Sequence, residues 1–322
     1  LRFRHHTSRD GLSNDSVKCV YQDDTGFLWI GTADGLNRYD GHEFLVFRPE
    51  RKPGAGVRSF SVRTIHAAAD GCLWVGGENS GFSKFDPTTG RFLEQHRFED
   101  GRTDWLASQT VIRIKGASEG RLWIGTNWGG LHRFDPNSGA MEHFPLREQT
   151  PRNTNQGIIQ ALHVTEAAPE IVWLGTGSMG MMRFDSATGE LRRYHQDPLS
   201  AHEVAPPRVV TSIVEESPIC FWITSPKGIY RFDPVAGRFL AHYEFRGLSS
   251  LVIDQDGRYW VSSGNSGLAR FFPGSGKFHV YLHSESNPQS LSDNRIRTLH
   301  LDRGGMIWAG LSASGLSVFN PQ

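Results

Sequence analysis

Several common devices are missing from this chain, and each absence narrows what it can be. Three cysteines in 322 residues cannot form a full disulfide set. Lysine plus arginine numbers 34 and aspartate plus glutamate numbers 34, so no surplus of positive charge marks a nucleic-acid or anionic-membrane partner. No apolar run approaches the roughly 18 residues that a membrane-crossing helix needs. Leu1 opens without the basic, apolar and small-residue blocks of a secretion signal. A mature secreted domain, an excised fragment and a cytosolic protein would all begin this way. Helical periodicity is missing as well. The sequence contains no G-x-S-x-G elbow, no H-E-x-x-H and no phosphate loop.

Repetition is abundant. The stretch GFLWIGTADGL (26 to 36) returns as GCLWVGGENSGF around Trp74, GRLWIGTNWGGL around Trp123 and EIVWLGTGSMGM around Trp173. It comes back again as ICFWITSPKGIY around Trp222, GRYWVSSGNSGL around Trp260 and GMIWAGLSASGL around Trp308. Seven copies in 322 residues give a period of about 46, the range of repeat architectures. In the first copy, SVKCVYQ (16 to 22), FLWIGT (27 to 32), GLNRYD (35 to 40) and EFLVFR (43 to 48) are β-rich runs separated by tight turns. Four short strands and one tryptophan per unit predict an all-β fold, a seven-bladed β-propeller with four antiparallel strands per blade. The chain is read as a single domain, 1–322, with blades at about 16–48, 61–97, 110–145, 157–195, 208–243, 248–282 and 294–320 plus 1–6.

The seventh copy stops at Phe319-Asn320-Pro321-Gln322, before a fourth strand. The opening LRFRHH supplies one: Arg2-Phe3 matches the Arg91-Phe92, Arg238-Phe239 and Lys277-Phe278 pairs that begin fourth strands elsewhere. The N-terminal strand is therefore expected to complete the last blade and remove its open edge. Third-to-fourth turns repeat an Asp-Pro-x-x-Gly pattern, as in Asp86 to Gly90, with Phe272 in place of the aspartate in repeat six. One carboxylate per turn, each in a different blade, makes no metal site.

Alternating strand direction sorts the loops onto two faces. Second-to-third turns and interblade connections share one face and carry nearly all the variation, so binding is expected there. Trp128, in the turn of blade three, and Trp105, in the connection before it, stand outside the tryptophan register and offer rings for stacking. Asp34, Glu78, Asn79, Asn127, Lys227 and Asn265 sit in equivalent turns and offer polar partners for a hydroxyl-rich ligand. His96, His143, His195, His242 and His279 fall on outer fourth strands, too dispersed to share an ion. His66, His163 and His300 fall on inner first strands, where side chains are expected to pack sideways between blades; no metal or other cofactor is expected. Cys19, Cys72 and Cys220 are read as small buried hydrophobes.

The stretch DGLSNDSVKCVYQDDTGFLWIGTADGLNRYDGHEF (10 to 44) resembles the two-component regulator propeller repeat, as does NPQSLSDNRIRTLHLDRGGMIWAGLSASGLSVF (287 to 319). The resemblance weakens in repeats five and six, where Thr224-Ser225 and Ser262-Ser263 replace Gly-Thr. It implies the extracytoplasmic, periplasmic sensor part of a bacterial membrane receptor, non-catalytic in itself. A kinase or cyclase output would lie elsewhere in a longer protein. It also implies an oligosaccharide or other polar small-molecule ligand. The other partners it implies are further domains of the same receptor and a homodimer of the full receptor, with no membrane insertion by this segment. Two alternatives stay open: a propeller lyase or lactonase with a channel metal, and a platform that docks a second propeller or partner chain.

Overall fold

The computed structural model describes residues 1–49, 60–78, 80–96, 110–127, 129–146, 157–194 and 204–322. Seven four-stranded antiparallel sheets form a seven-bladed β-propeller. The chain divides into two compact units, Leu1–His96 with Ser249–Gln322, and Arg97–Leu248.

The first unit holds blades one, two, six and seven. Blade one runs Val17–Gln22, Leu28–Thr32, Gly35–Tyr39 and Phe44–Phe47, within one residue of the β-rich runs at each end. Blade two runs Val62–Ala67, Leu73–Gly77, Phe82–Asp86 and Arg91–His96. Blade six runs Leu248–Ile253, Tyr259–Ser263, Leu268–Phe272 and Lys277–Tyr281. Blade seven takes Ile296–Leu301, Ile307–Leu311 and Leu316–Phe319, and its fourth strand is Phe3–His6. Phe3 lies opposite Phe319 and His6 opposite Leu316, so the N-terminal strand does close the last blade, with the two phenylalanine rings 5.0 Å apart.

The second unit holds blades three, four and five. Their first strands are Val111–Gly116, Ile159–Thr165 and Ser212–Ser217, and their second strands are Leu122–Thr126, Ala168–Thr176 and Cys220–Ser225. The fourth strand of blade five, Arg238–Glu244, reaches Leu248–Ile253 through only three residues, which accounts for the short spacing from Trp222 to Trp260.

All seven ruler tryptophans are core, none more than 6% exposed. Burying each removes roughly 150 to 250 Å² from water, about 4 to 6 kcal/mol of gross stabilisation before entropy is counted. The glycine two residues on points to the same side, because side chains alternate along a strand. Its reason is steric. A Cβ on Gly31 would lie 2.6 Å from Val62 of blade two, and one on Gly310 would lie 2.6 Å from Val17 of blade one. In the second unit Gly125 meets Ile159 and Gly175 meets Val210 in the same way. The missing side chain lets the first strand of the next blade pack flat. Repeats five and six depart from Gly-Thr and compensate with hydroxyl pairs. Thr211 and Thr224 oxygens are 2.8 Å apart, and Thr211 also donates to the Leu248 carbonyl. Ser249 and Ser262 are 2.9 Å apart, and Ser249 also donates to the Ile296 carbonyl.

The third-to-fourth turns follow their chemistry. Asp86 Oδ1 accepts from the Thr88 amide and Gly90 adopts φ +68°. At Phe272 the turn keeps its shape by backbone alone, with the Gly276 amide on the Phe272 carbonyl at 2.8 Å.

Candidate functional site

The second-to-third turns are short because the chain reverses directly after the second strand, and an amide of the turn is held by the residue that precedes the first strand of its own blade. The Ala33 amide donates to Ser16, Asn127 to Thr110, Gly177 to Ile158 and Ser312 to Arg295. In blades one, three, four and seven this fixes the residue after the second strand against the start of its own first strand.

In the first unit, the Asp34 carboxylate takes the Arg48 guanidinium at 3.0 Å, and Arg48 Nε donates to the Asp34 carbonyl. Glu78 Oε1 receives Arg63 Nη1 at 3.1 Å and Lys18 Nζ at 3.7 Å. Asn265 is exposed, with its amide on Ser263 Oγ at 3.4 Å. In the second unit, Asn127 uses its side-chain oxygen to accept from the Thr110 amide at 3.1 Å, so one face of that amide group is committed to the fold. Lys227 is exposed, and its carbonyl accepts from Phe245 and lies 3.2 Å from His242 Nε2. Asn79, Trp105 and Trp128 lie outside the described residues. Among the described residues, no hydrogen bond or ion pair within either unit links one candidate to another.

Sequence reasoning passed over the partners of these carboxylates. Lys18 and Arg63 each follow the first apolar residue of a first strand, Val17 or Val62, and that regular spacing was the available signal. What makes the position special is a register shift, between Val17 and Cys19 and between Val62 and Thr64. A bulge leaves one residue unpaired and re-aims its side chain.

The inner-strand histidines pair in register with ruler tryptophans: His66 with Trp74, His163 with Trp173, His300 with Trp308. His163 packs sideways as expected, Nε2 lying 2.8 Å from Glu215 Oε2 and its ring 5.4 Å from Phe221, both of blade five. Burial lowers the His163 pKa while Glu215 pulls it back up. Burial brings His300 down to about 4. His96, His143, His242 and His279 are on fourth strands, and His195 lies outside the described residues. Among the described residues, no three His, Cys, Asp or Glu side chains come together as a metal-binding group. Cys220 is buried, whereas Cys19 and Cys72 are only half-buried; all three are free thiols. No helix among the described residues is long and apolar enough to cross a membrane.

Comparison with known proteins gives this geometry a context. Residues 11–34 match the two component regulator propeller family, so the resemblance read from 10 to 44 holds and the chain carries a repeat of that kind. Histidine kinase P4 of Formosa agariphila is 52% identical over 46 residues, 14% of this chain and 3% of that protein. Among solved structures, the extracellular domain of BT3049 from B. thetaiotaomicron, assigned to a hybrid two component system, aligns over 98% of this chain with a TM-score of 0.79 and 20% identity. The extracellular domain of BT4673 from the same organism aligns over 98% with a TM-score of 0.76 and 22% identity. The chain spans about two-fifths of those two domains, 41% and 39%. A streptogramin B lyase structure aligns over 98% of this chain and 97% of its own, with a TM-score of 0.68 and 14% identity.

Proposed function

We propose that this chain is the sensing propeller of an extracytoplasmic receptor, binding a carbohydrate or similar polar small molecule on its second-to-third turns and catalysing nothing itself. One observation carries the reading: a regulator-propeller repeat at 11–34 occurs in a chain whose fold matches part of the extracellular domains of a hybrid two component system and a one component system. The part of those domains that this chain does not span leaves room for further receptor domains, including a second propeller or a partner chain docked on the variable face. The turns suit a hydroxyl-rich ligand. Asp34 and Glu78 are acceptors whose present partners are flexible cations, Asn79, Asn127 and Asn265 are amides, Lys227 is a donor, and Trp128 and Trp105 are rings able to stack on a sugar face.

Thermal-shift screening against oligosaccharides tests this, since a ligand of the folded state raises the melting temperature with its occupancy. For a ligand so found, Trp128→Ala is expected to weaken binding about tenfold, ~1.4 kcal/mol, with little change in the melting temperature of the free protein. Unchanged affinity removes Trp128 from the site.

The lyase structure of the same fold favours a second reading, an enzyme using His66, His163 or His300 with a divalent ion. Metal analysis of protein prepared without chelator, with assays on lactones and uronides, separates the two. A stoichiometric ion with turnover replaces the sensor reading.

A further inference from the structure

The bulge position of the first strand differs in charge between the repeats. In blades seven, one and two it is Arg297, Lys18 and Arg63, each skipped by the strand register: Ile296 to Thr298, Val17 to Cys19, Val62 to Thr64. In blades three and four the same skipped position is Ile112 and Gln160. The three cations therefore belong to three successive blades of one unit, and the first strand of blade one lies against the first strands of both blade seven and blade two.

Arg63 and Arg297 each reach the residue that follows the second strand of their own blade, and those partners do not match. Arg63 meets Glu78 at 3.1 Å. Arg297 Nε donates to Ser312 Oγ at 3.0 Å, a neutral partner. Blade one offers Ala33, which has nothing to give, and Lys18 instead extends to Glu78 of the next blade at 3.7 Å. Among the described residues Arg297 has no carboxylate within ion-pair distance. Lys18 and Arg63 thus share one carboxylate while Arg297 beside them has a neutral partner, and the Lys18 side chain is only 11% exposed. Burial and the repulsion of Arg297 lower the Lys18 pKa, Glu78 raises it, and Arg63 lowers it further, so Lys18 lies within the field of the other three groups. Lys18 is largely removed from water and has only a shared carboxylate at 3.7 Å, which costs the fold stability unless a second anion completes the pairing.

We propose that Lys18, Arg63 and Arg297 form an anion-binding arc that takes the oxyanion of an acidic saccharide, a uronate carboxylate or a sugar sulfate, with Glu78 as the internal group it displaces. Two guanidiniums and an ammonium suit a flat or tetrahedral multi-oxygen anion through charge-assisted hydrogen bonds. This deepens the sensor reading, on which it rests, by naming the ligand's chemistry at one end of the face.

Thermal shift and isothermal calorimetry at constant ionic strength, with glucuronate, glucose 6-sulfate, glucose and chloride as probes, test it. The two acidic sugars are expected to raise the melting temperature where glucose and chloride do not, and their difference identifies which oxyanion is preferred. Arg297→Gln removes an exposed charge without threatening the core and is expected to weaken acidic-sugar binding at least fivefold. Glu78→Gln is expected to strengthen it severalfold, an outcome that a purely structural ion pair would not produce. Equal response to acidic sugars and chloride, or affinity untouched in Arg297→Gln, overturns the arc. Binding of a neutral oligosaccharide without any acidic-sugar response overturns the arc and leaves the sensor reading standing.

Discussion

Blade six and blade three stand on the same ruler and treat its indole in opposite ways. In blade six, Asp254 lies six residues before Trp260 and accepts from Trp260 Nε1 at 2.9 Å with one oxygen, while the other takes the amides of Asp256 and Arg258. Asp23 and Asp302 do the same for Trp29 and Trp308, each at 2.7 Å, and Glu216 serves Trp222 at 3.0 Å. In blade three the position is Ala117, and Trp123 Nε1 is buried with no hydrogen-bond partner among the described residues. The backbone barely registers the difference: Asp254 N donates to Arg258 O at 2.9 Å, and Ala117 N to Arg121 O at 2.7 Å. The acid is therefore not what makes the turn. It is what ties the turn to the core, and a repeat can do without it at a cost in local stability.

The largest expected break in that comparison is Asp254→Ala. It strands a buried indole N–H and removes two turn caps at once, and is expected to destabilise by ~3 kcal/mol, the range for losing charge-assisted hydrogen bonds inside a protein. Urea unfolding measures it. A loss below about 1 kcal/mol would mean that blade six is no better held than blade three, and the contrast would carry no energy.

The acid–indole tie also shows where the sequence was legible and where it was not. Strands, ruler and the N-terminal closure could be read because each rests on a local regularity: a Trp-x-Gly spacing, a turn glycine, an Arg-Phe start. Asp23, Glu216, Asp254 and Asp302 stand in plain sight six residues before their tryptophans, yet a turn aspartate has a sufficient local explanation. Its bond to the indole appears only when the hairpin is folded. The bulge cations were hidden in a similar way. Lys18, Arg63 and Arg297 follow equivalent apolar residues, but the placing of Lys18 and Arg63 on one carboxylate and of Arg297 on Ser312 depends on register shifts that no strand propensity encodes. Of the candidate site, the sequence could place Asp34, Glu78, Asn127, Lys227 and Asn265 in their turns, but it could not show that Asp34 and Glu78 are ion-paired or that Asn127 is engaged in a backbone contact.

Acid sharpens the contrast by a second route. Blade three also buries His132, fully shielded and stacked on His143 with centroids 4.8 Å apart; burial, aided by His143, brings its pKa down to about 3. A depressed histidine is neutral in the fold and takes up its proton on unfolding, so its stability is complete above pH ~6.5 and falls as pH drops toward the folded value. Between pH 7.5 and 5 the expected loss from His132 is ~2 kcal/mol. His300 in blade seven, at about 4, adds a loss of the same sign. Denaturant unfolding at the two pH values should show His132→Leu with the shallower dependence; an unchanged slope would mean that His132 is protonated without harm.

The smallest expected effect runs the comparison in reverse. Ala117→Asp places the missing acid six residues before Trp123, on the backbone anchor that blade six uses. The turn beyond that anchor differs, however. Gly257 N closes on Asp254 O in blade six, whereas in blade three Arg121 N closes on Ser118 O and Glu119 is held at φ +60°. A non-glycine residue there stores strain, and the carboxylate must approach the indole from a turn shaped by it. The gain is therefore expected to be ~1 kcal/mol, less than Asp254→Ala loses. A double-mutant cycle assigns it. If the acid works by holding the indole, Ala117→Asp stabilises the protein with Trp123 but not with Trp123→Phe, which has no N–H to hold. If it stabilises both equally, the acid in blades one, five, six and seven acts on its turn, and the link from turn to core is incidental.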